Sequence, residues 1–176
     1  MKIHLSSDEM LAQWKLRRGF APLRADCVIS RTDGIDLDNL LRLEMRDWYL
    51  NLLATAPLEM LATTNIASDI AVVPTGEGGA EVMLPESCRR IVEFQLDGWQ
   101  RPAIIVDDPL CHLARIQANP FSRGLTVNPV VVKQQNRLFV YSLPAGSTPK
   151  ITRAIAVMEP TDGSYEMDES ALSTIN

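Results

Sequence analysis

The chain has 176 residues, of which 46% are hydrophobic and 22% are charged, and its formal net charge is −5. This length and composition are ordinary for a globular protein with one core. The acidic balance argues against a general nucleic-acid-binding protein, because such proteins are usually basic. No segment approaches the roughly 18 uninterrupted apolar residues of a transmembrane helix, and Met1 to Gly19 lacks the apolar run of a signal peptide.

The first third of the chain predicts two helices. Ser6 to Glu9 offers capping groups before a short amphipathic segment, and Gly19 suits the position that follows it. The clearest helix is predicted from about Asp36 to Ala56, because apolar residues recur there at spacings of three and four. Pro57 ends it. The apolar stripe of this helix is Leu37, Leu41, Met45, Trp48 and Leu52.

From Ile66 onward, short apolar segments alternate with turn residues, which predicts about seven strands. A glycine-rich connection, Thr75–Gly79, has the length of a hairpin loop. Val82–Val106 is interpreted as a short turn and helix followed by two strands, with Asp97-Gly98 as the hairpin signal between them. Further on, a helical piece is predicted from Asp108-Pro109 to Ile116, and strands at 127–132, 137–141 and 151–158.

These elements predict one α+β domain. Residues 1–65 form a mainly helical part, whose one long helix packs on an antiparallel β-sandwich or small barrel. Residues 66–160 supply that mainly β part. Residues 161–176 are a polar, acidic tail.

The three cysteines, Cys27, Cys88 and Cys111, stand at unrelated spacings and include no CxxC pair. This argues against a zinc site, and the chain length argues against a disulfide framework. The cysteines therefore favour a reducing compartment.

The strongest candidate for chemistry is Cys111-His112, which follows Asp107-Asp108. Neighbouring residues on a helix point in different directions, so Cys111 and His112 are not expected to form a catalytic dyad. The two aspartates could ligate a hard cation, but a strand end followed by a helix cap explains them more simply. We therefore predict no catalytic residue, no metal ligand and no cofactor.

Six residues are candidates for contact with a partner protein. Arg89, Arg90 and Arg101 form a modest basic group beside Trp99, which suits phosphate or an acidic surface, although a solvated helix face is the simpler explanation. Large aromatic residues are also enriched at interfaces. Gly76 and Gly78 belong to a loop without the Gly-Lys-Ser/Thr signature of a phosphate loop, so they are assigned to a hairpin tip that could contact a partner.

Several segments occur in a characteristic order: a capped helix, a strand hairpin, a Leu-Pro turn, a tryptophan loop, an Asn-Pro pair and an acidic end. They are Trp48–Leu50, Ala56–Pro57, Leu84–Val92, Trp99–Pro102, Asn119–Pro120 and Leu138–Pro144. This order resembles the neck, ring or head-to-tail connector proteins of tailed phages, in particular crAss-like and other short-tailed phages of gut Bacteroidales and related prophages. The resemblance covers about residues 30 to 160.

The resemblance implies a non-enzymatic virion protein, made in the host bacterial cytoplasm, whose copies form a ring below the portal. Its partners would be further copies, the portal and neighbouring neck or tail proteins. DNA would pass through without sequence-specific binding, which an acidic chain permits. No membrane partner is expected. The N-terminal arm, the Gly76–Gly79 tip and the acidic tail would make the contacts.

Two other functions remain open on the residues alone. The first is a bacterial ligand-binding or adaptor domain, which a small ligand would stabilise against heat. The second is a hydrolase that uses Asp107, Asp108 and His112. The hydrolase is disfavoured, because no recognisable nucleophile or metal cluster accompanies these residues.

Overall fold

The computed structural model describes residues 1–19, 36–76, 78–123, 125–143 and 149–175. In chain order the strands and α-helices are β1 (Lys2–Leu5), α1 (Ser7–Arg17), α2 (Leu37–Thr55), β2 (Thr64–Asn65), β3 (Val72–Gly76), β4 (Gly79–Met83), β5 (Cys88–Leu96), β6 (Ile104–Val106), α3 (His112–Gln117), β7 (Val130–Gln134), β8 (Arg137–Val140), β9 (Ile151–Met158) and β10 (Tyr165–Asp168). Short 3-10 helices span Leu58–Met60 and Glu169–Thr174. The chain is therefore an α+β protein, as predicted.

The chain divides into two compact units. Unit 1 combines Met1–Ala62 with Glu159–Asn176, and unit 2 is Thr63–Met158. No helix in the described part of the chain is long and apolar enough to cross a membrane.

Helix α1 begins where its sequence predicts. The Ser6 hydroxyl accepts a hydrogen bond from the Glu9 N–H at 3.3 Å, and the Glu9 carboxylate accepts one from the Ser6 N–H at 2.8 Å. This reciprocal capping box satisfies two N–H groups that the first turn leaves unpaired. Gly19 follows the helix with a φ of 75°, a conformation that suits glycine.

Helix α2 buries one face inside unit 1. Its buried residues are Leu41, Met45, Tyr49, Leu52 and Leu53. Trp48, predicted as a member of the stripe, is half-buried and packs edge-on against Trp14, with the ring centroids 5.6 Å apart. The stripe was expected to lie on the sheet of the second half. Inside unit 1 it has its own partners, since α2 packs on α1 and the Tyr49 ring lies 4.7 Å from that of Tyr165.

The C-terminal residues differ from the polar tail that the sequence suggests. Strand β10 pairs antiparallel with β1, with Ile3 opposite Met167 and Leu5 opposite Tyr165. Tyr165 and Met167 are buried while Glu166 between them is exposed. Although the C-terminal segment is rich in acidic residues, it therefore contains a short strand, and alternate side chains of that strand are buried in the core of unit 1.

Unit 2 contains two sheets with the strand orders β2-β9-β5 and β3-β4-β8-β7-β6. One hydrophobic core joins them, and its residues include Val82, Val131, Leu138, Phe94, Ala154 and Ala156. A shared core between two sheets is the arrangement of a β-sandwich. The pairing is antiparallel except between β6 and β7, which are parallel.

The stretch Val82–Val106 differs from its prediction in two places. Cys88 to Arg90 belong to β5 and not to a helix, because the chain turns at Pro85 and the Cys88 N–H donates to the Pro85 carbonyl at 2.9 Å. The Asp97-Gly98 turn also does not join a hairpin. β5 pairs along its length with β9, whereas β6 has three residues and pairs with β7. The longer partner offers β5 more ladder hydrogen bonds.

The predicted hairpin around Thr75–Gly79 is confirmed, because β3 and β4 pair antiparallel and Gly76 lies opposite Gly79. Gly78 in the loop has a φ of 71°, which explains the need for glycine there. Helix α3 begins at His112, later than predicted. The Asp108 carboxylate accepts from the Leu110 N–H at 2.8 Å, so a turn occupies the residues before the helix.

Candidate functional site

Exposed hydrophobic side chains concentrate in one part of unit 2. Nearly half of the large hydrophobic residues that are exposed in the described part of the chain lie between residues 104 and 127. We call the following set the α3 surface: Ile104, Leu110, Leu113, Phe121, Leu125 and Val127. Phe121 is 98% exposed. Concentrated apolar exposure of this kind marks interaction sites, whereas single exposed leucines need no explanation.

The elements that carry these residues are neighbours around strand β7 of the five-stranded sheet. Val131 of β7 points into the sandwich core, so Val130 and Val132 point to the opposite face of the sheet. Helix α3 packs on β7 and buries Ala114 and Gln117. Ile104 lies opposite Val130 in the parallel pair and shares that outer face. The α3 surface is therefore formed by α3, the edge strand β6 and the loop that leads into β7.

Hydrogen bonds fix the loop that carries Phe121. The Phe121 N–H donates to the Asn119 side-chain oxygen at 3.0 Å, and the Ser122 hydroxyl donates to the Ile116 carbonyl at 2.9 Å. Leu125, further along, has a φ of 49°, which is uncommon for a residue with a side chain. An aromatic ring on a hydrogen-bonded loop loses less backbone freedom when it binds a partner.

Arg123 joins this loop to two other elements. Its Nε donates to the Gln117 carbonyl at 2.8 Å, and its Nη1 donates to the Tyr141 carbonyl at 3.4 Å. A Cβ atom placed on Gly78 would lie 3.5 Å from the same Nη1. The tip of the β3–β4 hairpin is therefore adjacent to the loop of the α3 surface.

Three of the residues predicted to contact a partner lie near the α3 surface. Gly78 and Gly76 belong to the hairpin whose tip meets Arg123. Arg101 is exposed, and the N–H of its neighbour Gln100 donates to the Thr126 carbonyl at 3.0 Å. The structure thus brings the hairpin tip and Arg101 to the borders of one apolar surface.

The two other arginines predicted to contact a partner, Arg89 and Arg90, lie apart from Arg101. Arg89 is exposed and Arg90 half-buried at the first residues of β5, while Arg101 follows the opposite end of that strand. Seven residues of extended chain separate Arg89 from Leu96, a distance of roughly 20 Å. The basic group predicted from these three arginines is therefore wrong as a single cluster.

Trp99 is a core residue and offers no surface to a partner. It is 5% exposed, and its ring packs edge-on against Phe94 with centroids 5.9 Å apart. Its Nε1 donates to the Ser142 carbonyl at 2.7 Å. Placing it among the contact residues was wrong, because this hydrogen bond makes full burial of the indole favourable.

The Cys111-His112 segment has structural roles. Cys111 is the N-cap of α3, and its Sγ accepts from the Ala114 N–H at 3.4 Å, while His112 is exposed. Asp107 follows the end of β6, and Asp108 holds the turn described above. Among residues that the structure describes, no three His, Cys, Asp or Glu side chains come together as they would around a metal ion.

The sequence did not single out the α3 surface. Leu110 and Leu113 lie in the helical piece predicted from Asp108-Pro109 to Ile116, and Phe121 lies outside every predicted element. A signal was present in the composition, since residues 109–127 contain no carboxylate and several large apolar side chains. Without the structure, such a segment is as compatible with a core as with a surface.

Comparisons of the chain with models of protein families, with curated proteins and with solved structures find no match. The α3 surface and its surroundings are therefore the observations from which a function is proposed.

Proposed function

We propose that the protein is a non-enzymatic structural component of a phage virion. Copies of the chain form a ring in the portal, neck or tail connector through which DNA passes. The portal and neighbouring neck or tail proteins are the other partners. The protein is made in the cytoplasm of the host bacterium and ends in the virion.

The observation that carries this proposal is the α3 surface, with Phe121 exposed on a hydrogen-bonded loop. Assembly through such a surface buries apolar area, which drives protein association. The net charge of −5 is a second support, because an acidic channel wall lets DNA slide without binding it. The resemblance of the chain's order of segments to that of connector proteins is the third.

The test is the mass of the purified chain by light scattering at high concentration, with negative-stain imaging of the same fractions. The measurement is repeated with a candidate portal protein. Closed rings, formed alone or on the portal, support the proposal. The Phe121→Glu variant is the matched control and is expected to form fewer rings, because a charge replaces the exposed apolar ring.

A chain that stays monomeric and does not join the portal contradicts the proposal. Thermal stabilisation of that monomer by a small ligand would then favour the ligand-binding or adaptor domain. The outcome with the portal is decisive, since a ring subunit that needs a template is also monomeric when alone.

A further inference from the structure

The last residues of the chain complete unit 1 as a separate arm. We call residues 165–175 the C-terminal arm, which consists of β10 and the 3-10 helix that follows it. Residues 63–158, the whole of unit 2, stand between this arm and the rest of unit 1 in the sequence. The arm is therefore held in unit 1 by non-covalent contacts. Its buried apolar side chains are Tyr165, Met167, Ala171, Leu172 and Ile175.

The N-terminal part of unit 1 forms the seat of the arm. β10 pairs with β1 along its whole length, and Met167 forms a β-bridge with Leu61. Beyond the strand, the Glu169 N–H donates to the Met1 carbonyl at 2.9 Å. Backbone pairing combined with burial of alternate side chains is the way in which proteins bind an added strand. The structure therefore displays, in the arm, an occupant that this seat fits.

A short hinge, residues 160–164, leads from unit 2 to the arm. The Ser164 N–H donates to the Asp162 carboxylate at 2.9 Å, which makes a local turn. A Cβ atom placed on Gly163 would meet nothing within 4 Å, so the turn is not packed at that point. Opening the turn leaves the contacts between the arm and its seat unchanged. The five residues of the hinge span up to about 17 Å when extended.

We propose that the C-terminal arm of one copy takes the seat in unit 1 of a second copy, so that exchanged strands link the copies. The exchange pivots after Glu159, which pairs with Arg46 at 2.7 Å. An exchanged arm makes the same contacts as an arm in its own chain, so concentration decides between the two arrangements. This inference rests on the proposed self-assembly and adds a contact other than the α3 surface.

The local concentration of seats sets how often the exchange occurs. A short linker holds the arm near its own seat at an effective concentration on the order of millimolar. Neighbouring copies in a ring are held at comparable distances, so their seats compete for the arm on similar terms. Exchange is therefore expected to be rare in dilute solution, to rise with protein concentration and to be greatest on a portal that gathers the copies.

His4 of β1 and Glu166 of β10 allow the exchange to be trapped. They lie directly opposite each other, with 3.1 Å between His4 Nδ1 and Glu166 Oε1. The N–H and carbonyl of Glu166 bond to the Tyr49 hydroxyl and not to β1, so this is a non-hydrogen-bonded pair. The Cα atoms of such a pair lie about 4.5 Å apart, a distance that a disulfide can bridge.

The experiment uses His4→Cys and Glu166→Cys variants of the full chain, with the three native cysteines replaced by serine. The two variants are mixed equally, unfolded in urea, refolded together at several protein concentrations and oxidised mildly. A disulfide between them requires β10 of one chain to pair with β1 of the other. Non-reducing electrophoresis is expected to show heterodimers that increase with concentration. Circular dichroism confirms that each variant is folded.

Ser173→Cys is the matched control, because Ser173 is exposed on the same arm but lies outside β10. Mixed with His4→Cys, it is expected to give at least about tenfold less heterodimer, since a cysteine that is not opposite β1 lacks the required geometry. The double variant His4→Cys/Glu166→Cys checks the trap and is expected to form a disulfide within one chain in dilute solution.

Two outcomes overturn the inference. A double variant that forms no disulfide contradicts the pairing of β1 with β10 on which the exchange depends. Heterodimers that never exceed the Ser173→Cys control show that each arm keeps to its own chain, while the proposed function is still judged by rings and portal binding. Heterodimers in a protein that forms no rings and does not join the portal would support the exchange and count against the proposed function.

Discussion

Tyr49 of α2 and Glu166 of β10 are joined by two hydrogen bonds. The Tyr49 hydroxyl donates to the Glu166 carbonyl at 3.2 Å and accepts from the Glu166 N–H at 3.0 Å. In an antiparallel pair, the backbone groups of alternate residues point away from the partner strand. The Tyr49 hydroxyl of α2 therefore supplies hydrogen-bond partners for the Glu166 N–H and carbonyl of β10, which point away from β1.

Replacing Tyr49 by phenylalanine is expected to lower the free energy of unfolding by about 1–3 kcal/mol, because it leaves a part-buried N–H and carbonyl without their partner. Urea unfolding followed by circular dichroism measures the change. Tyr141→Phe is the control and is expected to have a smaller effect. Equal stability of the Tyr49→Phe variant and the unmodified chain would show that water replaces the hydroxyl at no cost.

Alkaline pH is expected to destabilise the protein through the same residue. Burial raises the pKa of Tyr49 to about 12, whereas a tyrosine in the unfolded chain has a pKa of about 10. At a pH between these two pKa values, the Tyr49 hydroxyl has lost its proton in the unfolded chain and keeps it in the folded protein. The free energy of unfolding therefore falls as the pH rises through this window, by roughly 2 kcal/mol from Tyr49.

Urea unfolding at several pH values between about 9 and 12 measures that slope. Tyr49→Phe is expected to reduce the slope and not to abolish it, because burial also raises the pKa of Tyr165. A slope unchanged in the variant would contradict the assignment to Tyr49.

Local features of the fold could be predicted where the sequence shows both the regular spacing of apolar residues and the turn or capping residues that end an element. Ile151–Met158 was predicted with the bounds of β9, because Ala154 and Ala156 alternate with outward residues between clear turns. The β3–β4 hairpin followed from its glycines, and α1 from its capping box. In each case a few neighbouring residues determine the structure.

Features that depend on distant residues could not be predicted. β5 pairs with β9, more than fifty residues further along the chain, and nothing near Asp97-Gly98 indicates that choice. β10 is hidden among acidic residues, and only its pairing with β1 explains the burial of Met167. The α3 surface is the same kind of case, since exposure is a property of the folded chain and not of leucine or phenylalanine.

The two described cysteines are expected to differ in reactivity. Cys88 is buried, and that burial raises the pKa of its thiol, so little thiolate is present at neutral pH. Cys111 is partly exposed. In a Cys27→Ser background, since Cys27 lies outside the described residues, iodoacetamide should modify Cys111 in the native protein and both thiols in urea. Mass spectrometry of the peptides checks this, and equal native rates would contradict it.

Arg123 is expected to hold the loop of the α3 surface. Arg123→Lys removes the Nε donor to Gln117 and the planar group beside Tyr141. Hydrogen exchange of residues 118–123 should become about tenfold faster, while β7 is unaffected. Arg115→Lys, on the exposed side of α3, is the control and should leave exchange unchanged. Unchanged exchange in Arg123→Lys would mean that the other bonds hold the loop without it.

The arrangement of unit 1 has a consequence for biosynthesis. Its strand β10 is translated after all of unit 2, because residues 63–158 are inserted between the two parts of unit 1. Unit 2 has its whole sequence available on the ribosome and can fold first, whereas β1 waits for a strand made more than 150 residues later. A chain truncated before Tyr165 therefore has all of unit 2 with its α3 surface, but it lacks the strand that pairs with β1 and completes unit 1.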